Sequence, residues 1–218
     1  MTTLKSIEIA SEGSGRMLRE IDGLFSSAAA CRLCPGMGCA PVLSETNGPA
    51  DAMVLFVGEA PGRFGARRTG TPFSGDVAGH RFELLLAAAG LERDEVFVTN
   101  AVLCLPLDAH GRNRTPKSSE VARCTRWLQE TIERQDPAVV VAMGRVALEA
   151  ARRISPHQME LACAGSNPVE WNERLLAVVY HPGARSQVHR PWARQLSDWE
   201  QLGRWMMEAG LTRGRLHS

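Results

Sequence analysis

Short apolar runs separated by longer stretches of helical spacing set the framework of this chain. Val54-Leu55-Phe56-Val57, Val96-Phe97-Val98, Pro137 to Met143 and Leu175 to Tyr180 are continuous apolar runs. That is the pattern of strands buried on both faces. Residues 77–90, about 115–135, 144–153 and roughly 190–208 place apolar positions at helical spacing. Gly90 is a C-terminal stop for the first of these, and Pro116 suits the first turn of the second. Strands alternating with helices predict a parallel, doubly wound α/β sheet. Residues 1–30 read as a helix-rich lead-in, and the Pro- and Gly-containing stretch Cys31 to Cys39 as a loop. No repeat or low-complexity linker divides the 218 residues, so the expectation is one domain, 1–218.

No apolar run approaches the roughly 18 residues of a membrane span, and the first thirty residues lack a signal-peptide core. A soluble, intracellular protein is expected. Six cysteines in such a setting point to metal binding, reactivity or burial rather than to disulfides.

The net charge is only +1, yet its distribution is uneven. Three basic clusters stand out: Arg63, Arg67 and Arg68; Arg112, Arg114 and Lys117, offset by Asp108; and Arg185, Arg190 and Arg194. Each follows an apolar run that ends in small or polar residues: Gly58-Glu59-Ala60-Pro61-Gly62, Thr99-Asn100-Ala101, and Tyr180-His181-Pro182. A doubly wound sheet gathers such strand ends at one crevice, where ligands bind. Positive charge beside that crevice favours a phosphate backbone over a set of merely solvated loops. Lysine is confined to Lys5 and Lys117, which limits Schiff-base chemistry.

Cys31-x2-Cys34 is a metal-ligand spacing, Cys104 ends the second motif, and Cys124 lies on the following helix. Two ligands from a loop and two from a strand–helix unit suit an iron–sulfur cluster. Zinc is the rival, although structural zinc sites more often use two close pairs. Buried thiols are the simpler alternative, most of all for Cys163. Cys39 is the residue most able to replace a member of the first pair.

The order and spacing of these motifs resemble the uracil-DNA glycosylase superfamily, and the cysteines its iron–sulfur branch, families four and five. The resemblance spans roughly Cys31 to Arg194. It implies a three-layer α/β/α fold with a central, mainly parallel four-stranded sheet, and a structural [4Fe-4S] cluster on Cys31, Cys34, Cys104 and Cys124. The implied partner is uracil-containing DNA, acted on by a cytoplasmic monomer that joins the nucleoid when it works. The implied reaction flips uracil out of the stack and hydrolyses its N-glycosidic bond, leaving an abasic site.

Residue by residue, the resemblance gives Gly58, Ala60 and Gly62 a close approach to the substrate and places Phe73 to stack on the flipped base. Asn100 reads the uracil edge with an amide that both donates and accepts. His181 donates to O2 as charge builds on the departing ring. Arg68, Arg185 and Arg190 contact DNA, and the loop Gly183 to Arg190 enters the minor groove, with Arg185, Gln187 and Val188 as wedge candidates.

Two carboxylates compete for a role near the sugar: Asp76, which resembles family five, and Glu59, which resembles family four. Asp76 is taken first and Glu59 second, with a helix N-cap as the plainer role for Asp76. Arg63 to Arg68 stand where family four has an acidic run, so the base range is not carried over. A related covalent-binding branch has a reactive histidine near the position of His110, but the residues around His110 do not match it.

Two other readings share these residues. A non-catalytic or covalently trapped binder of uracil-containing DNA would hold its substrate without releasing base. A small-molecule α/β enzyme with zinc would be colourless and would show little salt-dependent affinity for DNA.

Overall fold

The computed structural model describes residues 21–211, so the lead-in expected before Ile21 lies outside the described residues. The five strands are β1 (Val54–Gly58), β2 (Val96–Asn100), β3 (Val139–Met143), β4 (Val169–Trp171) and β5 (Arg174–Val179). They form one sheet in the order β2-β1-β3-β5-β4. The first four pair in parallel, and β4 runs antiparallel to β5.

Every residue of β1, β2 and β3 is buried, as their unbroken apolar runs require. Alternate side chains go to opposite faces. Leu55, Val57, Phe97, Val140 and Ala142 enter one core with α1 (described over residues 21–29), α4 (Ser118–Gln135) and α5 (Arg145–Ile154). Val54, Phe56, Val96, Val98 and Val141 enter the other with α3 (Val77–Ala88) and α6 (Trp192–Glu208). In that second core Phe56 stacks parallel on Trp199, with ring centroids 5.2 Å apart. The result is the expected three-layer α/β/α arrangement, with five strands rather than four.

Two local differences have physical causes. The extra strand β4 has only three residues, too few for a pattern. It turns into β5 through Asn172 and Glu173, both at positive φ, the geometry of a two-residue hairpin turn. The helix expected from about residue 115 starts at Ser118, because the Glu120 carboxylate accepts the Lys117 N–H at 2.8 Å and fixes the first turn there. A four-residue helix, α2 (Ala66–Thr69), interrupts the Gly-rich segment after β1. The long loop from Leu105 to Arg114 closes on itself through a bridge between Leu107 and Asn113, with the Asp108 carboxylate accepting the N–H groups of His110 and Arg112.

Candidate active site

The carboxyl ends of β1, β2, β3 and β5 open onto a pocket of about 780 Å3. Glu59, Phe73, Asp76, Asn100, His181 and Arg185 all line it, joined by Ala60 and Gly62. Side chains as distant in sequence as Glu59 and His189 thus meet at the crevice of a doubly wound sheet.

Gly58 lies under this pocket. A Cβ there would stand 2.5 Å from Asn100 Oδ1 and 2.7 Å from the Phe73 ring, so glycine is what lets those two side chains close over the strand end. Phe73 itself holds φ at +53°, a conformation costly for a bulky residue and concentrated at functional sites. Its ring centroid lies 4.8 Å from that of Phe82 and 5.4 Å from that of His181. Asn100 is 2% exposed, and its Oδ1 is buried without a hydrogen-bond partner in the protein. A buried acceptor left unpaired costs about 1–3 kcal/mol, which a ligand N–H would recover.

The His181 ring has one clear orientation. Its Nδ1 accepts the Gly183 N–H at 2.9 Å, which leaves the proton of the neutral ring on Nε2. Burial, with the charge of Arg185 second, pulls its pKa down to about 4. The imidazole is therefore neutral at pH 7 and presents an N–H donor.

Asp76 is the N-cap of α3, accepting the Gly79 N–H on Oδ1 at 2.9 Å. Its other oxygen occupies space that only glycine leaves open, since a Cβ on Gly62 or Gly65 would come within 2.8 or 2.4 Å of Oδ2. Capping and pocket lining thus coexist in one carboxylate. Burial pushes the Glu59 carboxyl above its ordinary pKa, opposed by the nearby charges of Arg185 and Arg145.

Behind the segment from Val102 to Cys104 lies a second cavity of about 550 Å3, lined by Cys31, Cys34, Cys39, Cys104 and Cys124. The Leu103 N–H points at Cys124 Sγ at 3.3 Å, and the Leu105 N–H at Cys39 Sγ at 3.2 Å. Burial pushes the Cys104 and Cys124 thiols up to about 12, and neighbouring cysteines push the same way. Backbone bonds from Gly38 to Leu105 and from Val42 to Leu103, each 2.8 Å, sew the cysteine loop to the chain that follows Asn100. Cys163 lies elsewhere, half-buried at the margin of the α4–α5 core. Among the described residues, no three His, Cys, Asp or Glu side chains converge closely enough for a single metal ion.

The sequence profile described as "Uracil DNA glycosylase superfamily" matches residues 45–206. The chain belongs to this superfamily. It is 29% identical over 193 residues to the Type-4 uracil-DNA glycosylase of Archaeoglobus fulgidus, covering 85% of this chain and 93% of the relative. The Type-4 uracil-DNA glycosylase of Thermotoga maritima is 33% identical over 158 residues, 70% of this chain and 76% of its own. A Type-5 uracil-DNA glycosylase of Pyrobaculum aerophilum is 36% identical over 120 residues, 49% of this chain and 51% of its own.

Not every basic residue faces the mouth of this superfamily pocket. Arg67 and Arg68 are exposed on α2, and Arg185 is exposed at the rim. Arg190 is different: its Nε donates to Asp198 Oδ2 at 2.8 Å and a terminal nitrogen donates to Oδ1. Arg114 is likewise held by Glu120, at 2.6 and 2.8 Å. The dense positive charge expected from the sequence is therefore partly neutralised by Asp198 and Glu120, and Arg190, expected to contact DNA, is held in an ion pair with Asp198. Sequence reasoning missed Arg145, which lines the pocket at the start of α5. A Gly-Arg step directly after an apolar run was the available signal.

Among the described residues, no helix is long and apolar enough to cross a membrane.

Proposed function

We propose that this chain is a monofunctional uracil-DNA glycosylase that draws uracil out of DNA and hydrolyses the bond between its N1 and the deoxyribose C1′. The buried, unpaired Oδ1 of Asn100 carries the reading. Beside a stacking ring and a neutral histidine donor, it is an acceptor suited to the N3–H of uracil, where cytosine offers only a lone pair. Phe73 stacks on the extruded base, and Asn100 pairs with its N3–H and O4. His181 Nε2–H donates to O2 as negative charge collects on the departing ring, which needs no net proton transfer. Water forms the new bond to C1′ as the C1′–N1 bond breaks and its electron pair leaves with uracil. Asp76 is the first choice to take the water proton and Glu59 the second, both being carboxylates of the same pocket. Arg185 and Arg68 approach phosphates, and the whole chain acts as one glycosylase-like domain, as a monomer.

Cys31, Cys34, Cys104 and Cys124 are read as holding a [4Fe-4S] cluster. Their chemistry fits: soft donors ring one cavity, with a backbone N–H directed at the Cys124 sulfur and thiols that a metal would need to draw into the thiolate form. When bound, the cluster would cross-link the cysteine loop to the segment after Asn100 rather than transfer electrons. Similarity to both Type-4 and Type-5 enzymes makes hypoxanthine and xanthine the next bases to assay.

The test is cleavage of labelled oligonucleotides carrying one uracil, single-stranded or paired with guanine or adenine, followed by alkali to break abasic sites. Alkali-dependent cleavage supports the reading. A stable protein–DNA complex with no base released would assign the chain to the binder class instead.

A further inference from the structure

Phe64 is the one exposed phenylalanine, tyrosine or tryptophan among the described residues, with 61% of its surface open to solvent. It lies between Gly62 and Ala66 in the chain, both of which line the pocket, so its backbone is close to the pocket mouth. The ring is also braced. The Arg63 guanidinium lies 4.5 Å from its centroid and donates to the Gly111 carbonyl at 2.8 Å, which anchors the cation to the loop from Leu105 to Arg114. Arg67 and Arg68 stand exposed just beyond, on α2. Gly65, next in the chain, packs against Asp76 so closely that a Cβ there would stand 2.4 Å from the carboxylate Oδ2.

An exposed phenylalanine gains nothing from water. Set among arginines and held by one on a single face, it matches the arrangement by which proteins stack unpaired bases while nearby cations hold the backbone. We propose that Phe64 is a stacking platform for an unpaired base next to the target nucleotide, so that the base packs on the ring face opposite Arg63. The proposal rests on the pocket being a uracil-DNA site, and it adds a contact outside the base pocket. It predicts a preference for substrates whose neighbouring base is already unpaired: single strands, loops and mismatched ends.

The test uses single-stranded oligonucleotides with 2-aminopurine on either side of 2′-fluoro-2′-deoxyuridine, whose fluorine disfavours positive charge on the sugar and blocks cleavage. Wild-type protein and Phe64→Trp should quench 2-aminopurine on one side, and Phe64→Leu should not. In parallel, Phe64→Leu should raise KM for uracil release from single strands about tenfold with kcat little changed, and Phe64→Trp should restore it. Equal quenching by Phe64→Leu, or none by the wild type at either position, overturns the platform. Self-association that Phe64→Leu abolishes, with no quenching, would assign the ring to a second copy and also overturn it. Quenching that depends on Phe64 in a protein that releases no uracil would uphold the platform and reject the glycosylase reading.

Discussion

Arg190, in the loop that follows His181, closes its guanidinium on the carboxylate of Asp198 in α6. Asp198 is only 3% exposed. Gln195, one turn earlier on α6, donates to the Arg190 carbonyl at 2.8 Å and to Ser186 Oγ at 3.3 Å. Ser186 Oγ in turn donates to the His181 carbonyl. A chain of polar contacts therefore runs from the buried face of α6 to the backbone of the histidine that faces the pocket.

The Asp198 carboxylate is buried while the Arg190 guanidinium is part-exposed, so removing the carboxylate leaves a charge that water screens in part. Asp198→Asn should lower stability by about 1–2 kcal/mol, read by urea unfolding. At a temperature where the variant is still folded, single-turnover base release should fall too, because the His181 loop loses its anchor. Unchanged release would show that the loop holds its geometry without α6.

Asp76 has two roles that substitution separates. Asp76→Ala should cost about 1 kcal/mol by uncapping α3 and should also abolish most base release. Asp76→Ser can still cap Gly79, so it should keep wild-type stability while losing release to a similar extent. If Asp76→Ser retains release and Glu59→Gln does not, the carboxylate role passes to Glu59.

His181 titrates with a sign that stability measurements can read. Its folded pKa is about 4, below the ordinary histidine value of about 6.5. Between those values the unfolded chain binds the proton and the folded chain does not, so this contribution is complete above about pH 6.5 and declines as pH falls toward about 4. His181→Asn should flatten that part of the stability–pH curve. Uracil release should show no loss attributable to His181 between neutral pH and about pH 5. A loss centred near pH 6.5 that His181→Asn removes would contradict a neutral donor.

The strand framework was legible because β1, β2 and β3, and β5 from Leu176 on, are buried on both faces and read as apolar runs. Glu59, Asn100 and His181 were legible because each sits at or just past the end of such a run, whereas Phe73 and Asp76, between α2 and α3, were read from the family resemblance. The partners of Arg190 and Arg114 were not, since Asp198 and Glu120 lie on helices that follow in sequence and only the packing of those helices brings them back. Nor did the glycines of the first motif declare their use. Gly58 makes room for Asn100 and Phe73, and Gly62 for Asp76, where close approach to substrate was the expected reason, and Gly65 makes room for Asp76 as well.

The cysteine cavity predicts a spectroscopic hierarchy. Single alanine substitutions at Cys31, Cys34, Cys104 or Cys124 should lose bound iron and visible absorption, while Cys163→Ala should keep both. Iron and sulfide content measured on protein purified without oxygen checks this. Loss of iron on changing Cys39 but not Cys34 would reassign one ligand, which the nearness of the Cys39 sulfur to the Leu105 N–H makes the specific alternative.

The central claim is that Asn100, Phe73 and His181 form a pocket that reads and releases uracil. Its most direct test is single-turnover release of free uracil from a uracil-containing strand by iron-loaded wild-type protein and by Asn100→Ala, with a cytosine-containing strand as control. The wild type should release uracil and no cytosine, and Asn100→Ala should be slower by about 100-fold. No uracil release by the wild type, or equal rates for the two proteins, would contradict the account.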